Sequence, residues 1–283
     1  MSPKFFTLIT GASEGLGKSF AIECAKRKMN LALVALPGSG LDRLADFICR
    51  NLGVEVLIFE KDLTLNNSCQ ELFDELALKK VSLNMLINNV GMGNTHLFIE
   101  GSPGFYEKQI RLNVMATTLI TYLFLANHIK DTSSYILNVG SLASFFYLPK
   151  KQVYGATKSF IYSFSKSLRK EVKKDGVHIS VLCPGGINTN EAVTLINKSG
   201  SWVSRTSIME PEDVAPIAID ALLKGKEVII PGKMNRFFVL LNRILPKALT
   251  SIIINYAMKI QPDNKVTRCL KVPQTAFNSS SAV

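Results

Sequence analysis

The stretch FFTLITGASEGLGKSFAIECAKRK, Phe5 to Lys28, decides the fold. Phe5 to Ile9 is a short apolar run of strand character. Thr10-Gly11-Ala12-Ser13-Glu14-Gly15-Leu16-Gly17 is a glycine-rich turn, and an amphipathic helical segment follows it. Strand, turn and helix in that order make a phosphate cradle. Gly11 permits the tight turn, Gly15 lets backbone approach a pyrophosphate, and Gly17 packs helix on sheet. The helix N-terminus then offers its N–H groups to the anion. The spacing is Gly-x-x-x-Gly-x-Gly rather than Gly-x-Gly-x-x-Gly, so the flanking strand and helix give the loop its weight.

Outward from this unit the alternation continues. Leu31 to Leu36 is a second apolar run, ending where an adenosine ribose would lie. An acid there would favour NAD and a base NADP. Neither is present, and Ala35-Leu36-Pro37-Gly38-Ser39-Gly40 follows. The missing acid removes repulsion against a 2′-phosphate that Ser39, Arg43 or Lys18 could reach, so NADP(H) is expected ahead of NAD(H). Leu41 to Leu52 reads as helix, and Val54 to Phe59 as a third strand closed by Asp62-Leu63-Thr64. Asp62 either accepts from an adenine amino group or caps the next helix. Leu83 to Ile87 makes a fourth strand, ending Asn88-Asn89-Val90-Gly91-Met92-Gly93. The helix after Pro103 carries Asn113 among apolar neighbours, which is poor helix chemistry and signals a polar task inside the fold.

Residues 138–158 read NVGSLASFFYLPKKQVYGATK. Tyr154 and Lys158 are four apart and share one helix face. A tyrosine loses its proton near pH ~10 and a lysine near ~10.4. A cation held beside the phenol favours phenolate, so the spacing can bring the tyrosine toward working pH. Ser141 follows the strand-like YILNV, placing a hydroxyl opposite that helix, an arrangement that suits a carbonyl awaiting a proton. A Tyr-x-x-x-Lys pair alone occurs by chance in many helices; the ordered company of the other motifs separates this one.

Composition limits the alternatives. A chain of 283 residues with 47 % hydrophobic content can bury a large core, as a globular enzyme does. Five scattered cysteines show no Cys-x-x-Cys pairing, which fits reduced thiols in a cytosolic protein and no metal site. MSPKFFTLIT runs directly into a strand, so no signal peptide is expected. The net charge of +11 is concentrated late: from residue 224 onward ten Lys and Arg face two acids. No aromatic-basic alternation of the kind that stacks bases accompanies it, which argues against a nucleic-acid partner.

In the second half, Lys151 to Lys173 is expected as the helix bearing Tyr154 and Lys158, and Val177 to Cys183 as a sixth strand. Glu191 to Arg205 is polar, contains Gly200 and has no clean period; it reads as a flap over the substrate, with Trp202 either its wall or a packing anchor. Glu210-Pro211-Glu212-Asp213 starts a helix, and Val228 to Ile230 is a seventh strand. In MNRFFVLLNRILP, Phe237, Phe238, Leu241, Ile244 and Leu245 follow i, i+1, i+4, i+7, i+8, with Arg236 and Arg243 on another face. A second helical run, Leu249 to Ile260, brings Ile252, Ile253 and Tyr256 together. Beyond Gly232 no run reaches the ~18 uninterrupted apolar residues of a spanning helix. Three roles stay open for this extension: a helix on a membrane surface, a lid on the cleft, or an oligomer interface.

Taken together, TGASEGLG at 10–17, DLT at 62–64, NNVG at 88–91, Asn113, Ser141, Tyr154 with Lys158, and Pro184-Gly185 followed by Thr189 resemble the classical short-chain dehydrogenases/reductases, in order and near family spacing across about residues 5–231. GLGKSFAIECAKRKMNLALV and LINNVGM look like the branch containing 17β-hydroxysteroid dehydrogenases and 3-ketoacyl-CoA reductases. That branch usually has a basic residue after the second strand, where this chain has Leu36 and Pro37.

The resemblance implies an α/β fold of Rossmann type: a doubly wound, seven-stranded, mostly parallel sheet with helices on both faces. Beyond the reach of the resemblance, one domain is expected over 1–260, including the amphipathic extension 233–260, followed by a frayed polar tail over 261–283. Tyr154 would be the general acid or base, Lys158 would lower its pKa and bind the nicotinamide ribose, Ser141 would polarise the carbonyl, and Asn113 would hold a water linking Lys158 to solvent. Cofactor contacts would come from Gly11, Ser13, Gly15, Leu16, Gly17, Asp62, Leu63, Asn89, Gly91, Tyr154, Lys158, Pro184, Gly185 and Thr189. The implied activity is hydride transfer between NADP(H), or NAD(H), and the carbonyl or secondary alcohol of a lipophilic, ketoacyl- or hydroxysteroid-like small molecule. The expected protein is a cytoplasmic homodimer or homotetramer, with peripheral membrane contact open through 233–260. The competing reading is a cofactor-binding sensor or scaffold without catalysis.

Overall fold

The structure is a computed structural model that describes residues 4–93, 95–129, 132–189, 193–195, 205–246 and 249–250. Seven strands, β1 (Phe5–Thr10), β2 (Asn30–Ala35), β3 (Val56–Glu60), β4 (Ser82–Asn88), β5 (Ser134–Val139), β6 (Val177–Leu182) and β7 (Val228–Ile229), form one sheet in the order β3-β2-β1-β4-β5-β6-β7. Every pairing in it is parallel, so the expected mostly parallel sheet is parallel throughout. Strands buried on both faces read as continuous apolar runs, as β2 does in NLALVA.

Alternate strand residues feed two cores. Ile9, Leu33, Ile87 and Leu137 pack against α1 (Gly15–Lys26), α2 (Leu41–Leu52) and α7 (Pro211–Leu223). Leu8, Val34, Leu86 and Ile136 point the other way, toward α3 (Ser68–Leu78), α5 (Thr117–Ala126) and the end of α6 (Gln152–Glu171). Helix α2 shows why the pattern works: Leu41, Leu44, Ala45 and Ile48 lie at i, i+3, i+4, i+7 and are its buried residues.

The helix after β4 is irregular. α4 (Pro103–Ile110) runs into a π-helical turn, Arg111–Ala116, which continues directly as α5. Among the described residues this run, Pro103–Ala126, is long and apolar enough by length and composition to cross a membrane. Its Ala116, Ile120 and Phe124 are nevertheless packed in the second core, the place of a core helix.

The strand order reverses between β1 and β4, and the crevice outside the strands' carboxyl ends there is where such sheets bind ligands. Thr10, Asn88 and Val139 all end their strands on that side. After β7 comes α8 (Lys233–Ile244), which buries Asn235 and leaves Phe237, Leu240 and Ile244 outward. Trp202, most of the expected flap, the run from 251 to 260 and the tail over 261–283 lie outside the described residues.

Candidate active site

The glycine loop is fastened to the neighbouring strand end. Backbone N–H groups of Asn89 and Val90 each donate to Thr10 Oγ1 at 3.1 Å, and Asn89 Nδ2 donates to the carbonyls of Thr10 and Gly11 at 3.0 Å. A Cβ on Gly17 would collide with the Gly11 carbonyl and come within 2.6 Å of Asn89 Nδ2, so only glycine lets helix and loop approach this closely. Glu14, at the N-cap of α1, makes no side-chain cap bond, which leaves first-turn N–H groups for an anion. Ser13 stands partly exposed in the same turn. Leu16 and Leu63 have core-buried side chains, so each can meet a ligand only through backbone.

At the end of β2 the loop carrying Ser39 folds toward the third strand. Glu60 accepts from Gly38 N at 2.9 Å. The Ser39 hydroxyl is buried without a hydrogen-bond partner, and a Cβ on Gly40 would lie 3.9 Å from Arg43 Nε. Asp62 accepts from Thr64 N at 2.9 Å and Thr64 Oγ1 at 2.7 Å. It therefore closes its own turn; the cap of α3 falls to Asn67, which removes the capping alternative.

Ser141 leaves β5 in extended backbone and starts a short 3-10 turn, its Oγ accepting from Ala143 N at 3.1 Å. That leaves the hydroxyl proton for another acceptor, and the side chain hydrogen-bonds Tyr154. Lys158, one turn further along α6, is 5 % exposed and donates from Nζ to the Val139 carbonyl at 2.8 Å. Its Nζ stands 5.8 Å from the Tyr154 ring centroid. Burial raises the Tyr154 phenol above the ordinary tyrosine value, and the Ser141 bond only partly opposes it. Burial pulls the Lys158 ammonium down to about 8. The sequence spacing predicts a phenol acidified by its lysine; here desolvation wins, because the ammonium is turned to a carbonyl.

Asn113, 1 % exposed and inside the π-helical turn, is a clamp. Its Oδ1 accepts from Met92 N at 2.9 Å, and its Nδ2 donates to the Met92 carbonyl at 2.9 Å and to Thr157 Oγ1 at 3.0 Å. It thus joins the loop after β4 to the residue preceding Lys158. Gly91 lies between them, since a Cβ there would be 3.1 Å from Asn113 Oδ1 and 3.4 Å from Lys158 Nζ. The Pro184 carbonyl accepts from Leu142 N at 2.8 Å, tying the Pro184-Gly185 turn to the turn after Ser141. Thr189 reaches the glycine loop: a Cβ on Gly15 would stand 2.8 Å from its Cβ.

All the expected residues therefore converge on one end of the sheet. Sequence reading missed Thr157, and it missed Asn235, whose Nδ2 donates to the carbonyls of Ser207 at 3.2 Å and Pro231 at 2.9 Å beside Gly185. No sequence signal marks Asn235, since its helix carries Lys233, Arg236, Asn242 and Arg243 and Asn235 is its one buried residue.

Residues 6–199 match the family described as short chain dehydrogenase. Human 17-beta-hydroxysteroid dehydrogenase type 3 is 32 % identical over 186 residues, 65 % of this chain and 59 % of that protein. The very-long-chain 3-oxoacyl-CoA reductase of Anas platyrhynchos is 29 % identical over 185 residues, 63 % of this chain and 58 % of that protein. These alignments span about three fifths of the length of either relative. A solved short-chain dehydrogenase from Sphingobium yanoikuyae, in complex with NADPH, superposes with a TM-score of 0.72 at 25 % identity, covering 99 % of this chain and 98 % of that one.

Proposed function

The chain belongs to the short-chain dehydrogenase family, and on that premise we propose that it is an NAD(P)(H)-dependent oxidoreductase acting on a carbonyl or secondary alcohol of a lipophilic substrate, ketoacyl- or hydroxysteroid-like. One observation carries the reading: Ser141, Tyr154 and Lys158 come together against the Gly91–Gly93 loop, which Asn89 ties to the Gly11 turn, in the crevice where the sheet reverses. The substrate class draws on the 17-beta-hydroxysteroid dehydrogenase and 3-oxoacyl-CoA reductase relatives.

The residues present fit a dinucleotide. Gly17 lets the α1 N-terminus close against the Gly11 carbonyl, where a Cβ would collide, and that N-terminus has no side-chain cap. Gly11, Ser13 and the backbone of Leu16 and Gly17 would hold the pyrophosphate, Asp62 and the backbone of Leu63 the adenine end. Asn89, Gly91, Pro184, Gly185 and Thr189 would border the nicotinamide end. A bound nicotinamide supplies the hydride; the chain supplies position and the proton. Tyr154, kept protonated by burial, gives its proton to the substrate oxygen in reduction. Ser141 donates to the same oxygen and lowers the barrier to charge developing there. Lys158 puts a cation beneath the phenol, and Asn113 fixes its helix turn against the Met92 loop.

NADP(H) is the preferred cofactor in this reading. The unpartnered Ser39 hydroxyl and nearby Arg43 suit a 2′-phosphate, while the Glu60 carboxylate is already engaged by Gly38 N. In the same reading the chain is one domain over 1–260 and assembles as a homodimer or homotetramer. Its interface would be the face bearing exposed Ile110, Met115, Leu119 and Tyr122, beside a groove of about 530 Å³ lined by Glu107, Ile110, Arg111 and Met115. Cytoplasmic localisation is kept with this reading.

The test is oxidation of NADPH by purified protein over a panel of hydroxysteroid ketones and 3-ketoacyl thioesters. Turnover lost in Tyr154→Phe supports the assignment; absence of turnover in the native protein, with tight NADPH binding, would replace it by the sensor or scaffold.

A further inference from the structure

The amphipathic run after β7 folds with an apolar stripe facing outward. Phe237, Leu240 and Ile244 of α8 fall at i, i+3 and i+7, one helical face, and are 52 %, 55 % and 70 % exposed. The inward side is occupied: Asn235 is buried, and Asn242 Nδ2 donates to the Phe145 carbonyl at 2.8 Å. That bond seats α8 beside the loop that follows Ser141, and Tyr147 on the same loop is 90 % exposed.

Charge narrows what covers this stripe. Lys233, Arg236 and Arg243 lie on α8, and no acid occurs between Gly232 and Thr250. Isolated exposed apolar residues are ordinary; an apolar stripe flanked by bases on one helix is the composition that seats at a lipid headgroup boundary. A second copy meeting this stripe about a two-fold axis would set the bases against themselves. Anionic headgroups would meet them with opposite charge.

We propose that α8 is a docking helix for anionic bilayers, lying in the plane of the interface with Phe237, Leu240 and Ile244 inserted at the acyl boundary. The proposal stands apart from the catalytic reading, since docking needs no turnover. Joined to it, docking would hold the loop after Ser141 close to the phase in which a lipophilic substrate dissolves.

Flotation of the full chain with vesicles tests it, using phosphatidylcholine alone and phosphatidylcholine mixed with phosphatidylglycerol. The native chain is expected to float with the anionic vesicles and to be released by high salt. Phe237→Glu/Leu240→Glu is expected to weaken that binding at least about tenfold, with an unchanged circular dichroism spectrum. If the double variant does not fold, Arg243→Glu, an exposed position, should weaken binding several-fold. Failure of the native chain to float with either vesicle overturns the proposal, as does a folded double variant that floats equally well. Light scattering that shows a native oligomer dissociating in the double variant, without native flotation, assigns the stripe to a second copy instead.

Discussion

Lys158 Nζ donates to the Val139 carbonyl at 2.8 Å and stands 5.8 Å from the centroid of the Tyr154 ring. The end of β5, rather than the phenol, is what holds the ammonium. Removal from water lowers its pKa to about 8 from 10.5, and this has a consequence for stability.

Between pH 8 and 10.5 the unfolded chain binds a proton at this lysine that the folded chain has released, so stability rises with pH across that window. Buried thiols act in the opposite sense. Cys24 and Cys183 are raised to about 12 and Cys69 to about 11, from 9.0; above pH 9 the unfolded chain loses protons that the folded one keeps. Melts of the cofactor-free protein should be nearly flat from pH 8 to 9, where the lysine's gain of about 1 kcal/mol is offset by a loss of about 1 kcal/mol at the three thiols, and should fall beyond. In Lys158→Met the offset is gone, and stability should already fall by about 1 kcal/mol between pH 8 and 9. An unchanged profile in the variant would show that this lysine does not contribute.

Tyr154→Phe removes the proton donor and leaves the ring. We expect kcat/KM for ketone reduction to fall about a thousandfold, with NADPH affinity little changed. Ser141→Ala should cost about a hundredfold, nearly all in kcat. Comparable losses in NADPH affinity, read by fluorescence titration, would mean that both residues only shape the site.

Asn113→Ala strands the Met92 N–H and carbonyl and deprives Thr157 of a donor. Denaturant unfolding should report a loss of about 3 kcal/mol. Thr157→Val deletes one acceptor of that set and should cost about 1 kcal/mol. Equal losses would argue that the clamp acts through Thr157 alone.

Two glycines separate space from flexibility. Gly17→Ala forces a Cβ into the Gly11 carbonyl, so stability should drop about 2 kcal/mol and NADPH affinity at least about tenfold. Gly104→Ala meets nothing within 4 Å in the first turn of α4 and should gain about 0.5 kcal/mol. Binding that survives in Gly17→Ala would dispose of the cradle.

Apolar runs and punctuating glycines made the strand–helix alternation readable, because a sheet covered on both faces needs long runs of Val, Ile and Leu. Spacing likewise put Tyr154 over Lys158. It could not say where the ammonium would point, since the Val139 carbonyl enters only through β5 and its neighbours. Asp62 shows the same limit: DLT identifies a strand end, yet only coordinates reveal that its carboxylate turns back on Thr64. In α8 the sequence period groups Phe237, Phe238, Leu241, Ile244 and Leu245, whereas the exposed face is Phe237, Leu240 and Ile244 with Phe238, Leu241 and Leu245 half-buried, because periodicity carries no sign for inside or outside. Asn235 was passed over because its partners, Ser207 and Pro231, are fixed by tertiary contact alone.

The wide turn at Arg111–Ala116 hides one surplus residue inside a continuous helix. Because its bonds run i→i+5, the extra residue is taken up within the turn itself, and the helix on either side keeps its bearing on the sheet. Asn113 thereby leaves the regular ladder to meet Met92 and Thr157, while Ile120 and Phe124 stay packed in the second core. Excising one residue there would restore a regular helix, keep the core contacts and withdraw the amide from the loop it ties.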